Sequence, residues 1–339
     1  MAPMRPLRPV VALLALLAFA TPARAQLLPP GTSLGDVREN VANRLSRLGP
    51  PGAGILGLFG YNMIPDGSAN ALQVSRTTAG GQSDNTLTLG QLGTGFTWGE
   101  SFPLYTEGYL GYARYDPRSV FSTGDSQVTG SVLSWNNVAL TLGVGWDIAL
   151  TENLFLRPII NGSVGYATSD VALFGNFISW ATDIDIEALT NRHVNVWGGG
   201  GALVLAYYDY RPERDIDVEL RYTQLRIQTF GDTLPAARGR STAESLTLWT
   251  RYRWPTGREA WGRPIRWVLE ANASSYLGDQ ADALGFAWSA KVGGGIEFET
   301  ARWELGVMGI NLNRVRLIGR YFFGDNNVTG YSIGIGMSF

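Results

Sequence analysis

The amino-acid sequence predicts an all-β protein: a transmembrane antiparallel up-and-down β-barrel of about 12 strands, with a short N-terminal α-helix expected in the lumen. Three observations carry this. The chain opens on an export signal. Its later segments alternate apolar and polar residues over lengths that cross a bilayer. It closes on an alternating run that ends in Phe339.

The export signal comes first. Arg5 and Arg8 are followed by an uncharged apolar run over residues 10–20, and Ala23-Arg24-Ala25 fits a small-x-small cleavage site. That order predicts a cleaved secretory signal peptide over residues 1–25. The apolar run is too short to be retained as a spanning helix, which needs ~20 residues. The expected divisions are residues 1–25 as signal peptide, 26–68 as N-terminal helix and linker, and 69–339 as barrel. The expected location is the outer membrane of a Gram-negative bacterium.

Composition narrows the class. Lys and Arg total 27 against 29 Asp and Glu, so the chain has no basic excess for nucleic acid. Zero cysteines exclude disulfides and thiolate metal sites. The 43 glycines, 11 Trp, 14 Tyr and 14 Phe fit a barrel with tight wall packing and aromatic girdles.

The alternation is explicit. Val138, Leu140, Leu142, Val144, Trp146, Ile148 and Leu150 interleave with Asn137, Ala139, Thr141, Gly143, Gly145, Asp147 and Ala149. Successive strand side chains point to opposite faces, so one face is apolar and the other small or polar. Ile216, Val218, Leu220 and Tyr222 oppose Asp217, Glu219 and Arg221; Leu246, Leu248, Tyr252 and Trp254 oppose Thr247, Arg251 and Arg253. Phe286, Trp288, Val292, Ile296 and Phe298 oppose Ser289, Lys291, Glu297 and Glu299. The charges Asp147, Glu219, Arg221, Arg251, Arg253, Glu270, Lys291, Glu297 and Glu299 are therefore expected to line the lumen. Both signs are present, which suits a plugged or weakly selective pore. Strands are expected at about 69–79, 85–98, 104–115, 134–150, 154–169, 192–210, 215–228, 243–254, 264–276, 285–299, 303–315 and 328–339. Connections near 99–103, 151–153, 211–214, 255–263 and 300–302 are short and expected to face the periplasm; those near 116–133, 170–191, 229–242, 277–285 and 316–327 are longer and expected outside. Aromatics crowd strand ends, with Trp98, Phe102, Tyr105, Tyr207, Tyr208, Tyr210, Trp254, Trp267 and Trp303 toward one rim, and Tyr115, Trp135, Tyr276, Trp288 and Tyr331 toward the other. The apolar segment 53–64, before the turn signal Pro65-Asp66-Gly67, would make a thirteenth strand and break the parity, so it is read as a linker or interfacial segment.

Residues 33–48 predict a helix. Ser33 is a candidate N-cap; Leu34, Val37, Val41, Leu45 and Leu48 recur at helical spacing; Gly49-Pro50-Pro51 stops the pattern. The polar face carries Asp36, Arg38, Glu39, Arg44 and Arg47, which become the candidate pore-helix residues. A helix ~10–12 Å wide fits a barrel broader than the eight-stranded ones that side chains fill. The alternative is an amphipathic periplasmic tail or a partner-binding helix.

A short helix directly before a 12-strand barrel resembles the β-domain of autotransporters, whose helix occupies the pore. The alternation of Tyr331, Ile333, Ile335, Met337 and Phe339 resembles the last strand of outer-membrane proteins. That likeness implies these five residues are an assembly signal, with the barrel assembly machinery and periplasmic chaperones as partners during biogenesis. Outer-membrane lipid is the other expected partner, the expected state is a monomer, and no nucleic acid is expected. The family carries a long passenger before the helix, whereas only residues 26–32 precede it here. The implied function is an autotransporter-like barrel without a passenger, acting as a structural protein or a helix-plugged, gated pore. An open porin-like channel and an outer-leaflet lipid hydrolase are the alternatives.

The hydrolase reading rests on His193, the one histidine, near the outer end of a strand. No motif ties a serine to it, and Gly330-Tyr331-Ser332-Ile333-Gly334 falls inside a strand rather than on a strand-to-helix elbow. No catalytic, cofactor-binding or metal residue is therefore expected. The glycines at 198–201 precede more strand and are read as close packing, with room for the helix.

Overall fold

The computed structural model describes residues 51–65, 69–76, 85–99, 101–116, 118–123, 126–131, 135–169, 193–233, 237–260, 262–284, 286–300, 306–307, 310–311 and 314–338. The expected signal peptide and the expected helix at 33–48, with Asp36, Arg38, Glu39, Arg44 and Arg47, lie outside these residues, as does Phe339.

Twelve antiparallel strands form one closed ring. They are β1 (Ala69–Arg76), β2 (Asn85–Thr97), β3 (Leu104–Asp116), β4 (Trp135–Trp146, continued by Ile148–Ala149), β5 (Leu154–Ser169) and β6 (His193–Arg211). Then follow β7 (Arg214–Thr229), β8 (Arg240–Ala260), β9 (Arg263–Leu277), β10 (Trp288–Glu299), β11 (Arg314–Gly324) and β12 (Val328–Ser338). Each strand pairs with its neighbours in sequence, and β1 pairs with β12 from Ala69↔Ile335 to Arg76↔Val328. Closure satisfies every strand edge, as a bilayer without water requires. Small hairpins extend two connections, Arg118–Thr123 with Ser126–Ser131, and Gly306–Val307 with Ile310–Asn311.

The faces are inverted relative to a soluble protein. On β4, Val138, Leu140, Leu142, Val144 and Trp146 are exposed, whereas Asn137, Ala139, Thr141 and Gly143 are buried. Leu203, Leu205 and Tyr207, then Leu220 and Tyr222, then Leu246, Leu248 and Tyr252 continue the apolar outer face on β6, β7 and β8. Tyr331, Ile333 and Ile335 carry it round to β12. An exposed apolar belt over a polar, buried interior is the arrangement of a membrane barrel.

Two expectations need correction. The eleventh strand is Arg314–Gly324 rather than 303–315, and the β11–β12 connection is only the 3-10 turn Asp325–Asn327. Arg316 and Arg320 fall in the stretch 316–327 expected as a long connection, but with Arg314 they alternate with Val315, Leu317 and Tyr321 and turn inward. The segment 53–64 is neither linker nor interfacial: it belongs to a helix, α1 (Pro51–Met63). Pro51 starts α1 at the position where a missing N–H costs nothing.

The end carrying the connections 98–103, 150–153 and 212–213 is the turn end, and the opposite end is the loop end. Helix α1 lies in the loop-end half. Leu56, Phe59 and Met63, spaced by three and four residues, pack with Ile64 against Ala139, Ala167, Val194, Val196, Leu225, Ile227, Ala237 and Ala243 of the wall. A second helix, α2 (Asp279–Leu284), in the β9–β10 connection, folds in beside it; Ala281 and Leu284 join Tyr61, Leu89, Ala113, Tyr276, Phe286, Phe322 and Val328. Tyr105 and Tyr208 also point inward, against Ile159, Ala202, Val204 and Ala206, so they and Tyr276 are not girdle residues.

Candidate functional site

The lumen is the candidate site, and it is filled at two levels. At the loop end the wall holds α1 by its C-terminus. The last carbonyls of a helix have no partner within it. Thr141 Oγ1 donates to the Met63 carbonyl at 2.8 Å, and Gln91 Nε2 donates to those of Ile64 at 2.9 Å and Asn62 at 3.3 Å. Asn62 Nδ2 donates in turn to Asn137 Oδ1 at 2.7 Å. Glycines allow the close approach. A Cβ on Gly60 would lie 2.8 Å from that of Ala243, and one on Gly111 would collide with Asn62.

The turn-end half holds charge. Arg221 grips Glu107 with both terminal nitrogens, each bond 2.8 Å. Asn161 Nδ2 donates to the same carboxylate at 2.6 Å and Tyr105 OH at 3.2 Å. Asp147 pairs with Arg157, whose guanidinium lies 3.9 Å over the Tyr105 ring. Tyr208 OH donates to Glu219 at 2.6 Å.

A second cluster runs from β7 to β11. Asp215 accepts from Arg266 and from Arg314, the latter at 2.8 Å, and Asp217 accepts from Arg253 at 2.9 Å. Glu297 receives Arg253 at 3.4 Å and Arg316 at 3.3 Å; Glu270 receives Arg320 at 2.7 Å and lies 3.5 Å from Arg251. Each carboxylate is nearly fully buried. Charges removed from water this far persist only when paired, as each of these is; the Glu270 Oε2 atom and the Nε atoms of Arg251 and Arg253 have no hydrogen-bond partner among the described residues.

Asp147, Glu219, Arg221, Arg251, Arg253, Glu270 and Glu297 join these networks, and Lys291 is buried on the inner face of β10. Glu299 shares that face but ends the strand and is exposed. Asp217, already on the polar face of its strand, joins the networks, and the partners the sequence did not single out are Glu107, Arg157, Asp215, Arg266, Arg314, Arg316 and Arg320. Glu107 shares the inner parity of Tyr105 and Tyr109, a signal that was legible. Which acid meets which base across the ring was not.

Between the levels lies a cavity of about 30 Å³, room for roughly one water. Asn62, Ile64, Gln91, Ser245, Thr247, Ser274 and Gln280 line it. Both amide atoms of Gln280, which is 1% exposed, and the Ser245 hydroxyl lack a hydrogen-bond partner among the described residues.

His193 begins β6 at the loop end and stacks on Tyr166 with ring centroids 5.7 Å apart. No hydrogen bond from it to a serine or carboxylate is present among the described residues.

No family model and no curated protein sequence matches the chain. Among solved structures, the β domain of the Bordetella autotransporter BrkA is similar at 13% identity and a TM-score of 0.45, over 80% of this chain and 98% of that one. The transport unit of the Escherichia coli autotransporter AIDA-I is similar at 14% identity and a TM-score of 0.42, over 86% and 98%. The NanC porin is similar at 10% identity and a TM-score of 0.36, over 80% and 100%.

Proposed function

We propose that this chain is an autotransporter-like outer-membrane barrel held shut by its own N-terminal segment, a helix-plugged pore that conducts only after the plug moves. The observation that carries the reading is α1 itself. Leu56, Phe59 and Met63 are buried in the lumen, and the wall residues Thr141 and Gln91 donate hydrogen bonds to the carbonyls that end the helix. An open channel keeps its lumen wet and has no use for an apolar cluster inside it. The turn end faces the periplasm in this reading, lipid surrounds the belt, and the barrel works as a monomer assembled by the general barrel machinery.

The test is planar-bilayer conductance of the purified mature protein. The plugged reading expects a nearly silent trace with rare, brief openings. Steady current in every insertion overturns it and puts the porin-like reading in its place.

A further inference from the structure

We propose that the turn-end half of the barrel is a second closure in series with α1: a layer of buried ion pairs that keeps the lumen shut when the helix leaves. The proposal rests on the plugged reading above and deepens it.

Two pairs act as struts across the ring. Glu107 on β3 meets Arg221 on β7, with β4, β5 and β6 between them. Asp215 on β7 meets Arg314 on β11, with β8, β9 and β10 between. Neighbouring strands lie ~4.8 Å apart, so each strut joins parts of the wall that face one another across the lumen rather than side by side. Together they span the ring from β3 to β11. On β2 and β12, in the remaining sector, side chains are laid over glycines. The Tyr105 ring fills the place of a side chain on Gly95, Tyr109 does so at Gly93, and Arg316 does so at Gly336 on β12. Long side chains thus lie flat across the opening.

The layer stands apart from the plug. Along the inner face of β8 the order is Ala243 against Gly60 of the helix, then Ser245 and Thr247 at the small cavity, then Arg251 and Arg253 in the ion pairs. Glu107, Asp215, Asp217, Glu270 and Glu297 each accept from side chains of other strands: Glu107 from Asn161 and Arg221, Asp215 from Arg314, Asp217 from Arg253, Glu297 from Arg316 and Glu270 from Arg320. Withdrawal of the helix therefore leaves these bonds intact.

Four full-length proteins test this in planar bilayers: wild type, Gly60→Trp to drive α1 off Ala243, Glu107→Ala/Arg221→Ala to remove one strut without stranding a charge, and the triple variant. Resistance to added protease checks folding of each. Only the triple variant is expected to conduct steadily, with a mean current roughly tenfold above the others. If Gly60→Trp alone conducts as well as the triple variant, the second closure is overturned and the plug stands. If Glu107→Ala/Arg221→Ala alone conducts, the helix closes nothing and the plugged reading falls with it. A folded but silent triple variant also overturns the proposal. A second measurement uses the absence of cysteine. Ser274→Cys, at the cavity, is expected to react slowly with a small cationic thiol reagent, and roughly tenfold faster with the strut removed and α1 untouched. Equal rates overturn the proposal.

Discussion

At the scale of single residues, pairing decides what a buried charge is worth. The Glu107 carboxylate is fully buried and takes both nitrogens of Arg221. Removing one partner leaves the other charge buried and alone, which costs about 3–5 kcal/mol, whereas removing both costs less. The expected outcome is that Glu107→Ala lowers unfolding free energy in denaturant by about that amount, and that adding Arg221→Ala restores part of it. Strictly additive losses would mean that the two side chains do not meet. The sequence made half of this visible. Period-two alternation assigns Arg221, Arg251, Arg253 and Glu297 to the inner face without any structure. It cannot say that Glu107 and Arg221, separated by 114 positions, face one another, because that depends on how the ring closes.

At the scale of elements, the two misread segments share a cause: their setting inverts the usual meaning of polarity. Arginine at 314, 316 and 320, with Ile318 between them in the same phase, is a loop signal in a soluble protein and a lumen signal here. The helix α1 carries Gly52, Gly54, Gly57 and Gly60, each unfavourable in a helix by about 1 kcal/mol relative to alanine, and lacks a charged face. Leu56, Phe59 and Met63 face an apolar part of the wall, and the polar contacts gather at the helix's last turn, on Asn62 and the terminal carbonyls. Two outcomes follow from its seat. Phe59→Ala empties a site bounded by Gly165 and Val196 and should lower stability by about 3–5 kcal/mol, read from the denaturant midpoint. Gly60→Cys with Ala243→Cys should form a disulfide under mild oxidation, since the helix need retreat only slightly from a 2.8 Å approach to reach the usual Cβ separation of ~3.5–4.5 Å. A double variant that stays reduced would place α1 away from β8.

At the scale of the whole molecule, the inversion itself is the property most open to test. Leu142 sits midway along β4 and is 57% exposed, with Leu140 and Val144 beside it on the same face. Were this barrel surrounded by water, arginine at 142 would replace an exposed apolar side chain with a soluble one, and stability would hold. In lipid the same change carries a charge to the depth where it is least tolerated, at about 2–4 kcal/mol near the midplane and little near the rims. Leu142→Arg should therefore fold poorly into lipid vesicles and unfold at lower denaturant. Trp146→Arg, four residues nearer the turn end, should cost less. The gradient is the informative result. A buried-core defect would be as harmful at either position, and a soluble barrel would show no loss at either. Only a surrounding bilayer makes the cost depend on height along the strand. The belt, the alternation and the closed ring already require an apolar solvent outside and a polar interior within.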